Sequence, residues 1–147
     1  MSLRKTFKTD RTADVNGAWV KVGFNERTNK PQEILIARAA RTNPEFTKVM
    51  EEVYAPYQED LASGTLSDAL KTKLSIEVFT KAIIKDWREI DKSELTGNDE
   101  DGEPLEFTIE NVLALFEELP DVFPDWENKS NNMSNFRQKE LQAKRKN

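Results

Sequence analysis

Cysteine and histidine are both missing from the 147 residues. Their absence removes disulfides, thiolate catalysis and Cys/His zinc sites, and with them the commonest general base. Glycine is scarce, five in all, and none sits in a phosphate-binding loop or a nucleophile elbow. No apolar run approaches the roughly 18–20 residues of a membrane helix. The opening "MSLRKTFKTDR" lacks the apolar centre of a signal peptide. These absences lead us to expect a soluble, intracellular chain with no cofactor, no metal and no catalytic set.

Charge is abundant. Asp, Glu, Lys and Arg make up 33% of the chain against 37% hydrophobic residues, so the core must be thin for the length. The charge is also uneven: residues 1–50 carry +5, residues 51–128 carry -15 and residues 129–147 carry +5. An acidic middle between basic ends is either a solvated surface with self-complementary ends or a docking surface for a charged partner.

Patterning suggests a mainly α, α+β domain. Residues 1–17 are polar and unpatterned, which predicts a flexible segment. "AWVKVGF" alternates, "NERTNKP" is rich in turn formers and "EILIARAA" supplies a return strand, so residues 18–40 read as a β-hairpin. Asn43-Pro44-Glu45 is a helix start: cap, first-turn proline and a favourable acid. Phe46, Val49, Met50, Val53, Tyr54, Tyr57 and Leu61 then form one stripe, interrupted where Pro56 must kink or split the helix. Ser63-Gly64-Thr65 is a break. Ile76, Phe79, Ile83, Trp87 and Ile90 predict a long central helix over 66–90. Thr108 caps a predicted helix at 109–119, with Ile109, Val112, Leu113, Phe116 and Leu119 as its buried stripe and Pro120 as its stop. A basic helix or tail is expected from about Ser130. The domain proper is thus 18–128, followed by a C-terminal basic segment, 129–147.

The acidic stretch "DEDGEPLEFTIENVLALFEELPDVFPDW" (residues 99–126) is the natural place to look for chemistry. A calcium loop with Gly102 at its sixth position would begin at Gly97 and end at Thr108, neither of which is a ligand. Glu117 and Glu118 are neighbours on a helix and point apart, so they do not make a catalytic carboxylate pair. Asp101-Gly102 reads as a turn. The basic ends lack interleaved aromatics, which argues against nucleic-acid binding. Protein binding remains. Glu117, Glu118 and Asp121 sit at the negative end of the 109–119 helix without a nearby cation; either water screens them or they meet a basic partner, which could be the chain's own basic tail. Leu115, Val122, Phe123, Trp126 and Phe136, with Arg137, are the candidate partner-binding residues at helix ends. The competing reading for each apolar one is core packing.

Taken in order, "NPEFTKVMEEVYAPY", a central segment ending in "KDW", "DEDGEPLEFTIENVLALFEELPDVF" and "NFRQKELQAKRKN" resemble the tail assembly chaperones of long-tailed bacteriophages. The likeness rests on the order and spacing of these pieces and covers about residues 18–147. It implies a non-enzymatic protein of the host bacterial cytoplasm that binds the long helical tape measure protein, keeps it soluble and is absent from the finished tail. It also implies a possible frameshifted longer form that recruits tail tube protein, and leaves homo-oligomers open. Two other classes stand beside it: an acidic, DNA-mimicking inhibitor of a host nucleic-acid enzyme, and a structural tail-completion protein.

Overall fold

The computed structural model describes residues 2–7, 15–132 and 136. After a helical turn, α1 (Leu3–Phe7), come β1 (Ala18–Asn25) and β2 (Lys30–Ile36), joined as the expected hairpin. α2 (Pro44–Tyr54) starts as the sequence predicts. Asn43 is fully buried, its side chain accepts from the Glu45 N–H, and its amide donates to the Arg38 carbonyl at 3.0 Å. Pro56 splits the following stretch: a single 3-10 turn, Ala55–Tyr57, separates α2 from α3 (Gln58–Ser63). Gly64 ends α3 in the left-handed region at φ 67°, where a side chain would be strained.

The largest departure lies in the predicted 66–90 helix. Only α4 (Asp68–Val78) is α-helical. A π-type turn, Phe79–Ile83, follows, and the chain then extends into β3 (Ile84–Arg88). β3 pairs antiparallel with the free edge of β2, giving a three-stranded sheet in the order β1-β2-β3. The sequence is misleading here for a definite reason. A bulge between the Ile36–Ile84 and Leu35–Asp86 pairs turns both Ile84 and Trp87 inward, three residues apart. A bulged strand thereby copies the spacing of a helix. Its β-branched and aromatic residues suit the sheet.

α5 (Ser93–Thr96), α6 (Ile109–Glu118) and α7 (Val122–Asn131) complete the described chain. Thr108 caps α6 as expected, its hydroxyl accepting from the Asn111 N–H at 3.0 Å. The buried face of α6 is Val112, Leu115 and Phe116, whereas Ile109, Leu113 and Leu119 are exposed. The predicted stripe was therefore rotated, because the sheet and α7 together cover the other side. α7 begins at Val122, in a stretch read from the sequence as a connector. Pro124 is tolerated because it falls in the first turn, where no intrahelical donor is needed. Most of the basic helix expected from Ser130 lies outside the described residues.

The sheet lays Ile34, Ile36, Ile84 and Trp87 against Phe79, Ile83, Val112, Leu115, Phe116, Phe123 and Trp126. The rings of Phe79, Phe116 and Phe123 meet at 5.4–5.9 Å between centroids, and Trp87 contacts Phe107 and Trp126. Phe136 is fully buried in the same cluster. On the outer face of the sheet, the Arg88 guanidinium lies 3.9 Å from the Trp19 ring centre and 2.9 Å from Glu33.

The hairpin tip is clasped to the segment after β3. Asp91 is buried and takes a two-pronged contact from Arg27, 2.9 Å from Nε and 3.0 Å from the terminal nitrogen. The buried Asn25 amide also donates to Asp91, at 2.9 Å, and to the Glu89 carbonyl, at 3.0 Å. Gly102 is there for space: a Cβ on it would lie 2.6 Å from Arg27 Cδ. The turn expected at Asp101-Gly102 falls two residues earlier, at Asp99-Glu100, with the Asp101 N–H donating to the Asn98 carbonyl. Trp87 Nε1 donates to the Leu105 carbonyl at 2.8 Å, tying the acidic segment to the sheet.

Two stability predictions arise here. Phe136→Ala empties a fully buried site and should cost about 3–5 kcal/mol, measured by urea unfolding. Asp91→Ala leaves the buried Asn25 amide one acceptor short and should cost about 1–3 kcal/mol. The hydrogen bond from Arg27 holds the Asp91 carboxyl below the usual aspartate value of 3.8. Its contribution is therefore complete above pH 3.8 and fades as pH falls through the lowered value. Acid unfolding curves of wild type and Asp91→Ala should converge only in that acidic window.

Candidate functional site

The residues singled out from the sequence separate into two groups. Leu115, Phe123, Trp126 and Phe136 are all buried in the main core, and Val122 packs partly against it. The partner-binding reading needed them exposed at helix ends; core packing, the competing reading, is what the structure has. α7 instead starts early enough to close over the sheet and take them into the interior. Glu117, Glu118 and Asp121 remain exposed. Asp121 is also the residue that precedes α7, so its charge lies beside the positive end of one helix as well as the negative end of another. That removes part of the electrostatic penalty that had pointed to a partner. Arg137 lies outside the described residues.

A different surface is left open. Three helix faces meet along a groove. α2 contributes Phe46, Met50 and Tyr54, spaced four apart. α4 and the π-type turn contribute Ser75, Val78, Phe79 and Ile83. α7 contributes Glu127, Ser130 and Asn131, spaced three and four apart. The deep end encloses about 110 Å³. Met50, Tyr54 and Ser75 continue into a wider outer end of about 490 Å³, bordered by Glu51, Gln58, Leu61 and Lys71.

The walls are held firmly. Beneath them a second apolar cluster of Val53, Leu74 and Val78 packs with Val49, Tyr57 and Leu70. Lys85 on β3 reaches Glu45 on α2 at 2.8 Å. The Ala39 N–H donates to the Ser130 carbonyl, and the Ser130 hydroxyl donates to the Glu127 carbonyl at 2.6 Å. Met50 and Leu61 stay 43% and 42% exposed, so the α2–α3 stripe is wider than the domain covers. Burial pushes the Glu127 carboxyl up from the usual glutamate range, and among the described residues nothing donates to it.

The stripe was legible in the sequence as one amphipathic face, but Met50, Tyr54 and Leu61 were not among the candidate partner-binding residues, and Glu127 was not singled out. The signal was present as an apolar stripe on a helix that Pro56 breaks. What faces that stripe depends on α7, which the sequence reading did not place.

A second concavity, at the hairpin tip, is lined by Phe24, Asn25, Glu26, Arg27, Asp91 and Asp99. It is polar, and Arg27 and Asp91 are already bound to each other there. Among the described residues no group of three or more acids is placed to share a metal ion, and no helix is long and apolar enough to cross a membrane.

A family model described as a YdaY prophage protein matches residues 41–147, which takes in everything from α2 onward and leaves the hairpin outside. No curated protein matches the chain, and no solved structure does. With the match running over well more than half of its length, the chain belongs to the YdaY prophage protein family.

Proposed function

We propose that this prophage protein is a non-enzymatic tail assembly chaperone, which holds a helical apolar client, the tape measure protein, in solution until the tail tube forms around it. The supporting observation is the uncovered groove between α2, α4 and α7. In a chain so rich in charge, an apolar trough flanked by exposed Met50 and Leu61 is the surface most in need of a cover. Its helical walls suit a client helix laid lengthwise, with apolar anchors every three or four residues. Binding of this kind rests on removing apolar area from water, at about 25 cal/mol per Å², less the cost of ordering the client. On this reading the protein works in the host cytoplasm and does not stay in the particle. A frameshifted form would add the contact to tail tube protein.

The acidic-inhibitor alternative has less support. Glu45, Glu77, Asp91, Glu103 and Asp125 are each paired with a cation, which interrupts any row of free carboxylates.

Co-expression with the neighbouring long helical reading frame is the test. Wild type should bring that client into the soluble fraction and co-purify with it. Met50→Glu combined with Leu61→Glu, both at exposed positions, should reduce the recovered complex about tenfold while leaving the melting temperature within a few degrees. A client that stays insoluble beside the wild-type protein overturns the proposal, as does recovery of this chain from purified particles.

A further inference from the structure

Glu127 is the odd member of the groove. The other deep-end walls are apolar side chains or small polar ones, yet Glu127 lines the same space and its carboxylate is partly desolvated. Among the described residues, lysines on the flanking elements are engaged with other acids: Lys129 with Asp125 at 3.0 Å, Lys85 with Glu45 at 2.8 Å and Lys81 with Glu77 at 2.7 Å. Lys71 borders only the outer end. In the free protein water reaches Glu127, which is half-buried. Covering the groove with a wholly apolar helix would strip that water and leave a carboxylate with no partner, a costly arrangement. A cation on the covering helix removes the cost and adds a charge-assisted hydrogen bond.

We infer that the groove selects an amphipathic helix whose apolar stripe is interrupted by one lysine or arginine, placed to meet Glu127. The inference rests on the proposed client-binding role of the same groove and assigns the chemistry of its occupant. The long aliphatic stem of Lys or Arg lies along Phe46, Val78 and Phe79 while its head reaches the carboxylate. The anchors Met50, Tyr54 and Leu61 supply affinity along the rest of the groove, and Glu127 sets the register. Apolar helices without the cation are rejected by the unpaired charge, which is how one carboxylate confers specificity.

Synthetic amphipathic helices of 18 residues provide the probe, with binding to the full chain read by fluorescence anisotropy. One peptide carries a single lysine inside its leucine stripe. A second carries the same lysine on the opposite face, so that net charge is equal and general attraction to an acidic protein cancels. A third carries glutamate in the stripe. Wild type should bind the first about tenfold more tightly than the other two. Glu127→Gln should erase that preference, and Glu127→Lys should transfer it to the glutamate peptide. Equal binding of the two lysine isomers to wild type, or a preference that survives Glu127→Gln, overturns the inference.

If no peptide binds, the inference also fails, while the co-expression experiment still decides the chaperone role by itself. A chain ending at Gln138 that binds the first peptide far more tightly than the full chain would place the protein's own basic end in the groove and overturn the assignment to a partner. A dimer of the wild type that dissociates on Met50→Glu would do the same in favour of a second copy.

Discussion

The Ile84 N–H donates to the Phe79 carbonyl five residues back, and this one widened turn redirects the chain from helix to strand. Everything on either side depends on it. Upstream, it points Phe79 and Ile83 into the core from the end of α4. Downstream, it lets β3 close the open edge of β2 and aim Trp87 between the sheet and α7. The indole N–H then holds Leu105, which anchors the acidic segment that leads to α6. Were α4 to continue as a helix through residue 90, β2 would keep a bare edge and the Phe79–Phe116–Phe123 cluster would have no sheet to pack on.

Charge in this protein is organised around what is paired and what is not. At the hairpin tip, Arg27, Asn25 and Asp91 satisfy one another across residues far apart in sequence, so a buried carboxylate becomes a fastener. On the outer sheet face Arg88 stacks on Trp19 and meets Glu33, giving an exposed strand surface a defined arrangement. Glu127 is the contrast. It is partly desolvated without a compensating donor among the described residues, in an apolar groove that they leave open. A group that costs something in the free protein is a reasonable place to look for an interaction gained only in a complex.

Local signals were read correctly wherever a short-range mechanism produced them. Asn43 with Pro44, Thr108 and the split at Pro56 act within a few residues of themselves, and the structure has each of them where the sequence put it. The hairpin was legible for the same reason. Errors arose where periodicity alone had to decide. Ile84 and Trp87 fit a helix only because a bulge spaces them by three. Ile109, Leu113 and Leu119 fit the α6 stripe, yet Leu115 took the inner position. A final helix was expected only from about Ser130, yet α7 begins at Val122, with Pro124 in a first turn that tolerates it.

By itself, the sequence determined the class of the molecule: a charged α+β domain without cysteine or histidine, its helices begun by Asn43 and Thr108 and an apolar stripe running along α2. These are properties of composition and of neighbours along the chain. Only the tertiary structure decided which stripes stay open. That choice rests on where β3 and α7 pack, which in turn depends on contacts between segments tens of residues apart. The same packing buried Leu115, Phe123, Trp126 and Phe136, and turned Glu127 into the groove beside Met50 and Tyr54.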